Sequence, residues 1–306
     1  MERVKSFEKR KRRFRKEWLY CWIAVSLPII GYIIFNAVPV VISLASMFTD
    51  IHHNQIGTMT WNNFAHFKTF FHDSKYWFSL GITLWLTCAQ FVSLLVALIV
   101  ATLLSAKVMG SKVFQTVFFV PYICATVALS IMWNWMFASG SNGVLNSLFG
   151  TQIDFRNSAD WLTWCIFIVI AWSAPGYGIV MFTAAFVGVD KNLYEAAEID
   201  GAGKITQYFK ITLPQIAPMM VFLALAGWQA GFATFDAAKI MAPVTWTGEA
   251  GVKDMGLTVA YYSYIKGVSF SHMDYASVIN WVTAAINFAG AFVFLRLRKR
   301  TEDNLE

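Results

Sequence analysis

The side chains equipped for acid–base, nucleophilic or metal chemistry are sparse in this sequence, and their spacing fits few enzymes. Cys21, Cys88, Cys124 and Cys165 stand alone in four separate apolar runs with no C-x-x-C pair, so they read as small packing residues. His52, His53, His66 and His72 share one polar loop, but their spacing matches no familiar ligand set and no cysteine joins them. They read as ordinary loop histidines, and no metal is expected. The nearest string to an intramembrane serine protease motif, Phe137-Ala138-Ser139-Gly140, lacks the first glycine. No G-x-x-x-x-G-K-[ST] loop is present, so an ATP site, with its Mg²⁺, must belong to another polypeptide. The apolar runs carry neither the mid-span carboxylates of a proton relay nor the arginine ladder of a voltage sensor. Catalysis is not expected of this chain, nor a cofactor bound by it.

One polar stretch remains, residues 190–218, DKNLYEAAEIDGAGKITQYFKITLPQIAP, between two uncharged runs. Asn192 followed three residues later by Glu195 reads as a capping box that starts a short helix at Leu193. Ala196 and Ala197 keep one face of that helix thin, open to close approach by another surface. Gly201 and Gly203 can take the left-handed conformation that ends a helix. A second helical piece then carries Ile205, Tyr208 and Phe209, and Pro214 closes it. The expected shape is a bent helical hook.

The hook resembles the EAA loop of binding-protein-dependent ABC importer permeases. The family pattern is met by Glu195-Ala196-Ala197, by Asp200-Gly201-Ala202, and by Ile211 with Leu213-Pro214. The resemblance implies that these residues form a coupling helix seated in a cleft of a cytoplasmic ATPase subunit.

The elements that must position the hook are membrane spans. Mean hydropathy is +0.52, and six uncharged stretches are long enough to cross roughly 30 Å of hydrocarbon. They fall near residues 18–48, 76–106, 113–137, 161–189, 215–235 and 275–295. The first is long for one span, and Pro28 and Pro39 suggest a kink or an extension beyond the bilayer. It is also too long for a secretory signal and is read as a retained helix. With both termini in the cytoplasm, cytoplasmic segments hold about 18 of the 24 basic residues. Most of that bias lies in the basic segment 1–17 and in the tail 296–306, flanking a membrane domain at 18–295. Positive-inside anchoring explains the N-terminal run better than nucleic-acid binding does. The hook, residues 190–214, then lies in the cytoplasm, where ATP is.

Several polar or aromatic residues at membrane depth are candidates for a solute path. Trp172 and Ser173 open a segment, Ala174-Pro175-Gly176-Tyr177-Gly178, whose irregular backbone is tolerated where it faces protein or a water-filled cavity. Asn134 lies between Trp133 and Trp135, which serve equally well as an interfacial belt or as a surface that stacks on sugar. Gly227, Gln229, Gly231 and Thr234 follow in the fifth span, with Asp236 near its watery end. Asn280 and Asn287 share one face of the last span. Thr83, Thr87, Gln90 and Ser93 form a stripe in the second span, read first as interhelical packing and second as path.

The wider resemblance is to the sugar branch of these permeases. It is carried by Asn63-Phe64 with Asp73, by Gly143 with Asn146, and by the stretches MGLTVAYYSYIKG and MDYASVINWVTAA. Aligned on the EAA loop, Tyr177 falls where the maltose permease places a sugar-contacting tyrosine. Gly227, Gly231 and Thr234 stand where that permease has serine and asparagine contacts, which points away from maltose and toward a roomier cavity or a different ligand. The resemblance implies an all-α type I importer permease of six transmembrane helices in a bacterial cytoplasmic membrane. It also implies a second homologous permease, two ATPase subunits and an extracytoplasmic solute-binding protein as partners. The solute would be a sugar or oligosaccharide. The alternatives are a polyol or sugar phosphate, or a secondary carrier.

Overall fold

A computed structural model of the chain describes residue 18 and residues 20–51, 56–105, 110–245 and 248–303. The basic segment 1–17, His52, His53 and part of the inner turn at 107–112 lie outside these residues.

Among the described residues, five helices are each long and apolar enough to cross a membrane: Tyr20–Ser46, Ser74–Ser105, Leu162–Val187, Lys204–Met241 and Met273–Lys299. A broken pair, Ser111–Ile123 and Thr126–Met136, passes the same test when taken as one span, which gives 6 candidate crossings. This corrects the expectation of one continuous third span, since the two pieces are bent by 95°. Pro121 sits inside the first piece and removes a hydrogen bond from its ladder. Cys124 and Ala125 then turn extended, at ψ 145° and ψ 127°. The second piece packs against Asp236–Met241 at the far end of the fifth span, so tertiary contact holds the turn open.

The fifth span also differs from expectation. Pro214 does not close the second piece of the hook; the helix runs through it from Lys204. Residues Tyr208–Thr212 widen into a π-turn, and Pro214 enters at the start of Leu213–Phe232. A wider turn relieves the clash between the proline ring and the carbonyl four residues back, so the helix continues.

The second span is the central post, packed against the fourth, the fifth and the start of the third. Apart from Tyr76 and Leu86, its buried residues are small or hydroxylated: Ser79, Thr83, Thr87, Ala89, Ser93, Ala97 and Ala101. Thr83 and Thr87 donate to carbonyls four residues back at 2.9 and 2.8 Å, so their hydroxyls are satisfied inside their own helix. Thr83 Oγ1 also accepts the Val259 N–H at 2.9 Å, which ties the loop before the last span to this post. The first span, by contrast, shows apolar side chains outward along its length, with Trp22, Leu27 and Phe35 all well exposed. It meets the last span near its C-terminal end, where Ser43 Oγ lies 3.3 Å from Ser277 Oγ.

Candidate functional site: an exposed hook and a cavity between spans

The hook begins with a helix at Lys191–Ile199 whose cap is Asp190, not the expected Asn192. The Asp190 carboxylate accepts the Asn192 N–H at 3.0 Å. An acceptor two residues upstream of that N–H fits the capping geometry, whereas Asn192 is already inside the first turn. The helix ends at Gly201, at φ +78°, where the Ala202 N–H reaches back to the Ala197 carbonyl at 2.9 Å. Gly203 does not share this conformation; its φ is −68°, and it starts the next helix. Tyr194 OH meets Thr212 Oγ1 at 2.8 Å, and Gln207 Nε2 donates to the Ala202 carbonyl at 3.0 Å. Both bonds fix the two arms of the hook against each other. Tyr208 OH, 3.0 Å from Thr102 Oγ1, ties the second arm to the end of the second span.

The hook displays its motif rather than burying it. Glu195, Ala196, Asp200, Gly201 and Pro214 are exposed, and Ala197, Ala202 and Leu213 are half-buried. Ile199 is 87% exposed and Ile205 77%, with Phe209 beside them. A Cβ on Gly201 would meet nothing within 4 Å. Among the described residues space does not demand glycine there; the left-handed backbone does.

A second feature lies between the spans. One cavity of about 260 Å³ is lined by Gln90, Tyr122, Ser173, Thr234 and Asp236, among others. A neighbouring one of about 160 Å³ is lined by Gln90, Ser93, Tyr122, Tyr177 and Gly227. They share Gln90, Tyr122, Ala174 and Ala230, so the two form one interrupted path along the fourth and fifth spans. Tyr177 stacks on Tyr122 with ring centroids 5.5 Å apart and 22° between planes. Both rings come from helices next to a proline, Pro175 and Pro121.

The remaining candidates fall outside this path. Gly231 is buried, and a Cβ there would approach the Thr87 side chain to 2.2 Å, so this glycine lets two spans touch. Gln229 is exposed on the surface of the fifth span. Trp172 packs edge-on against Trp133 at 5.5 Å, and Asn134 Oδ1 is buried without a hydrogen-bond partner. The sequence reading missed Tyr122, whose only signal is its place directly after Pro121 in an apolar run. Thr83 and Thr87 serve packing, and Gln90 and Ser93 line the cavity, so the polar stripe divides between its two readings.

On the face opposite the hook, Asp73 gathers the loops. Its Oδ2 accepts the hydroxyls of Tyr262 at 2.6 Å and Tyr275 at 2.5 Å, while Oδ1 accepts the Lys75 N–H at 3.1 Å. Burial, then Asp73, push the Tyr262 phenol well above its usual pKa, so it stays a donor. Nearby, His66 Nε2 lies 3.0 Å from Asp50 Oδ1 and 3.4 Å from Asp274 Oδ2. Asp274, and more weakly Asp50, hold the imidazole above its ordinary pKa against the opposing effect of burial.

Comparison with known proteins places these features. The chain is 31% identical over 287 residues to the probable ABC transporter permease protein YesP of Bacillus subtilis, covering 91% of this chain and 90% of YesP. It is 32% identical over 214 residues to the sn-glycerol-3-phosphate transport system permease protein UgpA of Shigella flexneri, 69% of this chain and 70% of UgpA. It is 25% identical over 284 residues to the arabinooligosaccharides transport system permease protein AraP of Halalkalibacterium halodurans, 90% and 86% of the two chains. Among solved structures it superposes on a chain of a bacterial ABC transporter that imports the acidic polysaccharide alginate. The TM-score is 0.78 at 20% identity, with 94% of this chain and 98% of that one covered. The fold is thus that of a type I ABC importer permease, as the EAA resemblance implied. Residues 93–299, from the middle of the second span to the end of the last, match the model of one family, so the chain belongs to the binding-protein-dependent transport system inner membrane components.

Proposed function

We propose that this chain is one half of the membrane pathway of an ATP-driven importer for an oligosaccharide, in the bacterial cytoplasmic membrane. A second homologous permease completes the pathway, two ATPase subunits dock on the hooks, and an extracytoplasmic binding protein delivers the solute. The observation that carries this reading is the hook itself, a turn that presents Glu195–Gly201 and the apolar Ile199 and Ile205 outward with nothing among the described residues to cover them. Both termini and the hook lie in the cytoplasm, in keeping with the distribution of Lys and Arg. Closure of the ATPases moves the hooks as rigid bodies and rocks the spans between inward- and outward-open states. ATP and Mg²⁺ are held by the partner subunits.

The saccharide assignment rests on relatives named for arabino-oligosaccharide and alginate transport, and on the paired tyrosines Tyr122 and Tyr177 in the cavity. Aromatic faces suit the CH-rich face of a pyranose, while Gln90, Ser173 and Thr234 offer hydrogen bonds to its hydroxyls. The test is uptake by cells lacking this chain, complemented with wild type, using labelled oligosaccharides and glycerol 3-phosphate side by side. Restored oligosaccharide uptake that survives a protonophore while ATP is maintained supports the proposal. Uptake of glycerol 3-phosphate alone moves the substrate class to sugar phosphates, and collapse with the proton gradient makes the chain a secondary carrier.

A further inference from the structure

Asp50, His66 and Asp274 converge from three distant segments: the strand after the first span, the loop helix Ala65–Phe71, and the first turn of the last span. Their three nearest ligand atoms all lie within 4.8 Å of one another. Two readings compete, a protonated imidazole bridging two carboxylates and a cation held by all three.

Three observations favour the cation. The first is direction: His66 Nε2 is buried, yet neither carboxylate stands in hydrogen-bond geometry to it despite the short distances. An ion pair aligns N–H with an oxygen, whereas a ligating nitrogen points between the oxygens at the metal. The second is spacing. With metal–ligand bonds of about 2.1 Å, adjacent ligands lie about 3.0 Å apart in an octahedron and about 3.4 Å apart in a tetrahedron. The observed separations from Nε2, 3.0 and 3.4 Å, fall in the range that ligands of one ion span, and all three ligand atoms stay within 4.8 Å of one another. The third is charge: a single imidazolium leaves one of two carboxylates unbalanced, and the Asp274 side chain is only 6% exposed.

The surroundings are built to hold the ligands. Asp274 Oδ2 also accepts the Ile51 N–H at 3.0 Å, and Oδ1 accepts the Tyr275 N–H at 2.7 Å, so this carboxylate is fixed in orientation. Asp50 is 48% exposed, which leaves it free to close the triad and leaves room for water to complete the shell. A mixed nitrogen–oxygen set with no sulfur suits Mn²⁺ or Zn²⁺ rather than Ca²⁺ or Cu⁺.

We propose that Asp50, His66 and Asp274 form a divalent transition-metal site on the face opposite the hook, a clasp that fastens the outer end of the first span and the loop helix to the start of the last span. The sequence reading passed over it because it sought histidine–histidine spacings. Here one histidine is joined by two carboxylates far away in the chain.

The test uses the full-length chain in detergent, carrying a non-histidine affinity tag and stripped with a chelator. Mn²⁺ is titrated and free ion is read from its EPR signal; Zn²⁺ is added in a parallel thermal-unfolding assay. The expected result is one tightly bound Mn²⁺ per chain and a Zn²⁺-dependent rise of several degrees in the unfolding midpoint. Binding weakens in Asp50→Asn, which removes one anionic ligand, and is lost in His66→Gln. Asp50→Asn lies on a half-exposed residue and keeps the variant set interpretable if Asp274→Asn fails to fold. Equal Mn²⁺ binding by wild type and His66→Gln overturns the proposal, as does a metal-free wild type whose stability Zn²⁺ does not change.

Discussion

Gly201 shows how a single residue carries the coupling argument. Its φ of +78° is the left-handed conformation, which costs a residue with a side chain on the order of 1–2 kcal/mol. That cost leaves a six-span domain folded and inserted. The open space around it means a side chain projects outward, toward whatever docks on the hook. Gly201→Asp is therefore expected to insert normally while solute-stimulated ATP hydrolysis in the assembled complex falls to the unstimulated rate. Gly201→Ala shares the backbone cost without the charge or reach and is expected to retain part of the stimulation. Stimulation of wild-type size in Gly201→Asp removes the hook from the coupling path. Tyr177 carries the corresponding argument for the solute. Its ring stacks on Tyr122 over the cavity, and Tyr177→Ala removes an aromatic face worth about 0.5–1.5 kcal/mol, so the apparent KM for uptake should rise up to about tenfold. An unchanged KM makes the tyrosine pair a packing contact.

At the scale of elements, what was legible followed from local chemistry, and what was not depended on partners far away in sequence. The spans, the hook and the turn at Gly201 are each specified by hydropathy, charge or one glycine within a short window. The capping residue was misplaced by two positions because Asp190 and Asn192 are both good caps; only the backbone distinguishes them. The 95° break in the third span was not legible from Pro121 alone, because a proline in a span bends a helix without fixing how far. The fifth span packing against its second piece sets that angle. Gly231 could be read from sequence as room for a solute or as a place where helices pack closely, and the Thr87 side chain of another span, 2.2 Å from where its Cβ would stand, favours close packing. This yields a prediction about packing. Gly231→Ala forces a methyl into Thr87 and is expected to lower stability by about 1–3 kcal/mol. Combining it with Thr87→Gly, which clears the overlap, should restore most of the lost unfolding temperature. A double variant no better than the single one means the two spans do not meet at this point.

At the scale of the whole molecule, orientation decides whether the hook can meet an ATPase at all. The span Leu162–Val187 lies between the loop at 138–160 and the hook, and a crossing there puts the two on opposite faces. The bias of Lys and Arg predicts that the hook lies inside. Ser141 is exposed on the loop and Ile205 is 77% exposed on the hook, so both report accessibility rather than burial. Gln207, also on the hook, is unsuitable because it is only 7% exposed and would resist labelling from either side. The background must lack native thiols, as Cys21, Cys88 and Cys124 are exposed. In such a background, Ser141→Cys in intact cells is expected to react with a membrane-impermeant maleimide. Ile205→Cys should react only after the cells are opened, while a permeant maleimide labels both without opening. Labelling of Ile205→Cys from outside in intact cells would invert the topology, placing the hook where no ATP is available. The ATP-driven mechanism would then fail even though the fold assignment stood.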